Sequence, residues 1–111
     1  MKPELKAKWV AALRSGEYTQ ARETLCDEGD AFCCLGVLLS ISDKGYWNGP
    51  LYEFEREYDD DGDPIVCDGD LGRFGRRMFG ISDTAEASLI TMNDDQNKSF
   101  AEIADYIESA L

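Results

Sequence analysis

The chain has 111 residues and a mass of 12.4 kDa, enough for one compact domain with one core. It is 43% hydrophobic and 31% charged, a globular rather than a disordered composition. Eleven Lys and Arg face 23 Asp and Glu, a net charge of −12, and histidine is absent. Acidity this strong excludes a protein that grips nucleic acid by its phosphates, because like charges repel. The missing histidine excludes Ser-His-Asp and Cys-His nucleophiles, histidine metal sites and the usual physiological pH switch.

Lys2 to Ser15 reads as an amphipathic helix, with Leu5, Trp9, Ala12 and Leu13 on one face, Pro3 in the first turn and Gly16 as the left-handed stop. Glu17 to Glu28 has no clear period and is expected to be a connection with one helical turn. Asp30 is the expected cap of a second helix, Ala31 to about Ser42. Its core, Phe32-Cys33-Cys34-Leu35-Gly36-Val37-Leu38-Leu39, is apolar on almost every side, so it is placed at the buried centre. Lys44 to Pro50 carries Asn48-Gly49-Pro50 and reads as a turn.

The period then changes. Tyr52, Phe54, Arg56 and Tyr58 alternate with Glu53, Glu55, Glu57 and Asp59, which is the pattern of a half-exposed strand. Asp60-Asp61-Gly62-Asp63-Pro64 is a turn, and Ile65-Val66-Cys67 is its hairpin partner. Leu71 to Phe79 reads as a helix ending at Gly80, and Thr84 to Met92 as a weaker one. Ser99-Phe100-Ala101-Glu102 is a capping box that starts a last helix, with Phe100, Ile103, Ala104, Ile107 and Leu111 as its apolar stripe. The expected fold is α+β: a mainly helical single domain over residues 1–111, with four or five helices and one acidic β-hairpin.

Met1 to Lys6 lacks the apolar run of a signal peptide, and no stretch approaches the roughly 18 apolar residues of a membrane span. A cytoplasmic protein is therefore expected. Cys26, Cys33, Cys34 and Cys67 contain no Cys-x-x-Cys and match no zinc spacing, so free thiols packed as small hydrophobes are expected, with no metal or other cofactor.

The charge is concentrated. Residues 41–70 hold ten acids against two bases, two-thirds of the net charge in less than a third of the chain. Carboxylates at alternate strand positions stand about 6.8 Å apart, close to the spacing of phosphates along one nucleic-acid strand. Glu53, Glu55, Glu57 and Asp59, continued by Asp60, Asp61 and Asp63, are the candidate partner-binding row; Tyr52, Tyr58, Tyr46 and Trp47 are the candidate aromatic anchors. The competing reading is a solvated edge strand whose charges discourage aggregation. Asp59, Asp61 and Asp63 occupy EF-hand positions 1, 3 and 5, but Pro64 and Asp70 stand where glycine and glutamate are needed, so a tight turn is the better account.

Arg73, Arg76 and Arg77 form the only basic cluster, on one expected helix face. They either pair with the acidic hairpin or hold the phosphates of a small nucleotide. No Walker loop, dinucleotide fingerprint or nucleophile elbow is present, and no catalytic residue is assigned.

Three segments carry a resemblance. They are Trp9-Val10-x-Ala12-Leu13-Arg14-Ser15-Gly16-x-Tyr18-x-Gln20, Asp30-Ala31-Phe32-Cys33-Cys34-Leu35-Gly36-Val37-Leu38, and Asn93-Asp94 with Ser99 to Glu108. Together they resemble a family of small uncharacterised phage and prophage proteins. The chain departs from that pattern at Asp95-Gln96-Asn97, where a glycine usually follows Asn-Asp, and in the acidic hairpin. The resemblance implies a shared scaffold and a phage origin, and small non-enzymatic phage proteins often inhibit host defence. The leading expectation is thus a counter-defence inhibitor, anti-CRISPR-like, whose acidic hairpin occupies a basic nucleic-acid-binding surface of a host protein. The alternatives are a sponge for a signalling nucleotide, held by Arg73, Arg76 and Arg77, and a small enzyme of unknown class.

Overall fold

A computed structural model describes residues 1–27 and 30–111. Helix α1 spans Pro3–Arg14 and buries Trp9, Val10 and Leu13. Its strongest packing partner is α5, Phe100–Ala110, through Phe100, Ile103, Ala104 and Ile107. Arg14 ties the two helices at the surface, donating to Asp105 at 2.6 Å and Glu108 at 3.1 Å. The capping box at Ser99 and Glu102 is present, with both reciprocal hydrogen bonds made.

Between α1 and the central helix the chain is extended rather than helical. Strand β1, Thr19–Gln20, pairs in parallel with β2, Ala31–Phe32, and Cys26 bridges to Phe32. The expected helical turn in Glu17 to Glu28 is therefore not formed in its described part, and Glu28 itself lies outside the described residues. Helix α2 starts three residues later than the sequence suggests, at Cys34–Ser42. Asp30 cannot cap it: its φ of +61° is left-handed, whereas an N-cap is extended. Cys33 takes that place, its Sγ accepting from the Gly36 N–H at 3.4 Å. Cys34 to Leu39 are all buried, as a helix apolar on every side requires. Gly36 is needed there, because a Cβ would overlap the carbonyl oxygen of Leu25.

The segment read as a turn, Lys44 to Pro50, contributes a strand. Strands β3 (Gly45–Asn48), β4 (Leu51–Tyr58) and β5 (Pro64–Cys67) form an antiparallel sheet in that order, so the expected hairpin gains a third strand. The turn signal was correct but shorter, since Asn48 already pairs with Leu51. The inner face of the sheet supplies Tyr52, Phe54 and Cys67 to the core. A chain of ring contacts runs Tyr18–Phe32–Trp47–Tyr52–Phe54–Phe74, with centroids 5.0–5.7 Å apart.

Helix α3, Gly72–Phe79, ends at Gly80 in the left-handed conformation, as the sequence suggests. Helix α4, Asp83–Asp94, is longer than Thr84 to Met92, because the Ser82 side chain caps its start by accepting from the Ala85 N–H. One buried core joins the helices to the sheet, centred on Trp9, Leu35, Leu38, Leu89, Ile103 and Ile107. The α+β class and the five helices agree with the sequence reading. No helix among the described residues is long and apolar enough to cross a membrane.

Candidate functional site

The acidic segment forms an exposed ribbon. Residues 55–64 are exposed without interruption, and from Glu55 to Asp63 they carry six acids against Arg56 alone. The simple alternation read from the sequence stops halfway along β4. Glu53 pairs with Val66 and Tyr58 with Pro64, so five steps on β4 match two on β5, leaving three extra residues on β4. Arg56, at φ +61°, turns the chain inside this bulge.

An odd number of extra residues exchanges the two faces. Tyr58, grouped with buried Tyr52 and Phe54 by sequence parity, instead shares the outer face with its partner Pro64 and with Val66. It is 63% exposed. The straight row of carboxylates is broken for the same reason. Glu53 is half-buried and accepts from the Asn48 side-chain amide at 3.1 Å and the Tyr46 hydroxyl at 3.4 Å. Glu55 and Glu57 border a cleft of about 440 Å³ whose lining also includes Lys2, Lys8, Lys44, Glu4 and Asp43.

The remaining acids gather at the ribbon's tip. Asp59 Oδ1 accepts from the N–H groups of Asp61 and Asp63 at 2.9 and 3.0 Å, and Gly62 N–H donates to the Asp59 carbonyl. This is the tight turn expected from the sequence, built around an aspartate side chain. It draws one carboxylate oxygen from each of Asp59, Asp61 and Asp63 to within 4.8 Å of one another, with all three exposed. Asp60 and Asp61 accept none of the turn's backbone hydrogen bonds.

Two of the four candidate anchors are unavailable. Tyr52 is 2% exposed inside the core. Trp47 is half-buried in the aromatic chain and donates its indole N–H to Ser40 Oγ at 3.1 Å. Both sit on the inner side because β3 is a strand, so its alternation sends Trp47 inward and Tyr46 outward. Tyr46 is 54% exposed, and its hydroxyl pKa is raised by the charge of Glu53 first, then by burial, with Tyr58 and Glu55 adding to it. Val66, 40% exposed on β5, received no role from the sequence. Nothing in a four-residue apolar strand marks which side chain faces out.

The basic cluster is divided. Arg76 turns toward α4, donating to buried Glu86 at 2.9 Å with Asp83 at 3.9 Å, rather than pairing with the acidic ribbon. Its pKa rises chiefly through the Glu86 hydrogen bond. Arg73 and Arg77 are exposed and form no ion pair among the described residues. An anion held by all three arginines would have to compete with Glu86 for Arg76.

The cysteines are free and buried. Burial pushes the Cys33 thiol up to about 11 and the Cys67 thiol up to about 12, and raises the Cys34 thiol well above its ordinary value. Cys34 and Cys67 donate to the carbonyls of Leu89 and Leu71. These are packing groups, held protonated and away from attacking partners.

Residues 1–71, from α1 through the acidic ribbon to the start of α3, match the model of a family described as a domain of unknown function, DUF8296. The chain belongs to the DUF8296 family. The match includes both the central α2 helix and the whole ribbon, so in this DUF8296 chain the two lie within one family unit. No curated protein and no solved structure matches the chain.

Proposed function

We propose that this chain is a non-enzymatic binding protein whose acidic ribbon occupies a basic, nucleic-acid-binding surface of a partner protein. One observation carries the reading: residues 55–63 expose six carboxylates and one base to solvent without interruption, with Tyr58 among them. A surface evolved for phosphates presents Lys and Arg to such a ribbon, and acidic steering speeds the encounter. The bulge gathers the charge at the tip, so the mimicry is of a phosphate cluster rather than of an extended strand. The resemblance to phage and prophage proteins makes a host defence protein the partner to test first. The four free thiols suit a reducing cytoplasm.

The test is a phage plating assay on hosts carrying nucleic-acid-guided defence, with the chain supplied from a plasmid. The wild-type chain restores plating, and Glu57→Lys/Asp60→Lys/Asp61→Lys does not, while its circular dichroism and melting remain those of a folded protein. These positions are exposed, and their side chains make none of the turn's hydrogen bonds. Equal restoration by both chains, or none by the wild type on any such host, overturns the reading.

A further inference from the structure

The three large hydrophobic side chains most exposed among the described residues are Tyr46, Tyr58 and Val66. They come from three different strands, yet all lie on one face. Tyr46 is paired with Glu53, and Glu53 with Val66, so these three form a row across the sheet. Tyr58 joins the same face through Pro64, two residues from Val66. The opposite face is sealed in the core by Tyr52, Phe54 and Cys67.

This outer face is therefore two tyrosine rings and a valine around a carboxylate. Glu53 is held by Tyr46 and Asn48, which fixes its carboxylate between the strands. No base stands among the paired positions of the three strands. A bare apolar partner would desolvate Glu53 without supplying a counter-charge, which costs more than the ring contacts return. A lysine brings charge, but its compact, strongly hydrated ammonium gains less from a ring. A guanidinium satisfies both halves, with its plane on a tyrosine ring and its N–H groups on the carboxylate.

We propose that the outer face of the three-stranded sheet is an arginine-recognition surface, in which Tyr46 and Tyr58 stack guanidinium groups of a partner protein and Glu53 pairs with them. This rests on the binding role of the acidic ribbon and names the side chain its partner presents. The tip supplies attraction that any cation satisfies; the tyrosine face supplies the discrimination.

The experiment measures binding of nona-arginine and nona-lysine peptides to the full chain by fluorescence anisotropy at ~0.15 M salt. Nona-arginine binds about fivefold or more tighter than nona-lysine, the size expected of one or two ring contacts. Tyr46→Ala/Tyr58→Ala brings the ratio to about one with nona-lysine binding unchanged, and Tyr46→Phe/Tyr58→Phe, which keeps the rings, preserves it. Glu57→Lys/Asp60→Lys/Asp61→Lys weakens both peptides alike and leaves the ratio. Equal affinities in the wild type, or a preference that survives the double alanine variant, overturns the tyrosine face while leaving the ribbon intact. Binding of both peptides that ignores the tip variant overturns the ribbon instead. No binding of either overturns both.

Discussion

Glu86 and Leu71 are joined across 2.8 Å: the buried carboxylate accepts the backbone N–H at the first turn of α3. The second oxygen of Glu86 takes Arg76 Nη1 at 2.9 Å, so one side chain on α4 fixes both the start and the side of its neighbour. Glu86 is 3% exposed; Arg76 keeps Asp83 at 3.9 Å as a second, exposed partner, but the Leu71 N–H has no other acceptor among the described residues. Glu86→Ala strands a buried N–H and removes the shorter of the two ion pairs of Arg76, and is expected to cost about 3 kcal/mol. Glu86→Gln keeps an acceptor for Leu71 and is expected to cost less. Urea denaturation of the two variants checks the order; equal losses would mean that the side chain's volume, not its hydrogen bonds, matters.

Asn93 is the polar centre of the helical half. Fully buried on α4, it accepts from Gln20 Nε2 and the Cys34 N–H, and donates to the Ala21 carbonyl and Asp94. It thereby anchors β1, its flanking loop and the start of α2 at one point. Asn93→Leu is close in size but leaves the Cys34 N–H and the Ala21 carbonyl without partners, and is expected to cost about 3 kcal/mol. Hydrogen exchange at Cys34 and Gln20 should accelerate more than at α1. A uniform acceleration would show that the loss is global rather than local.

The helices were legible because their signals are local. Pro3, Gly16, Gly80 and the Ser99–Glu102 box each act within one turn, and each stands where the sequence places it. What the sequence hid was pairing at a distance. Ala31 and Phe32 look like the first turn of a helix, yet β1 claims them from twelve residues upstream. Tyr58 looks inward by parity, and only its register against Pro64 turns it outward. The Asp59–Asp63 turn was visible from its composition. The tyrosine face was not, because its members are brought together by three strands and a bulge.

The thiols give the fold a pH dependence of known sign. Burial raises Cys33 from an ordinary value of 9.0 to about 11 and Cys67 to about 12. In the unfolded chain these thiols lose protons near 9, so above that pH the unfolded state is favoured by ionisation. The contribution is full below pH 9 and is lost as pH rises toward about 11 and about 12. Stability should therefore fall across pH 9–12, and Cys67→Ala, whatever its cost at pH 7, should flatten the upper part of that fall. Alkylation by iodoacetamide at pH 8 should follow global unfolding; rapid labelling of Cys33 or Cys67 in the native protein would contradict their burial.

The ribbon should be the least stable part of the fold until a partner neutralises it. Six exposed carboxylates between Glu55 and Asp63 repel one another, and no described ion pair ties them to the core. Screening shortens that repulsion from a Debye length of about 8 Å at physiological ionic strength to ~3 Å at 1 M. Sodium chloride should therefore raise the melting temperature, and exchange in residues 51–67 should slow more than in the helices. The exposed Arg14 pairs should move the other way but count for little, since surface pairs are worth about 0–1 kcal/mol. Calcium discriminates further. Asp59 Oδ1 already accepts two backbone N–H groups, so closing Asp59, Asp61 and Asp63 around an ion would disturb the turn they form. Millimolar calcium is expected to stabilise no more than sodium chloride of matched ionic strength. A much larger rise with calcium, abolished by Asp61→Asn/Asp63→Asn, would make the tip a metal site rather than a face for arginine and lysine.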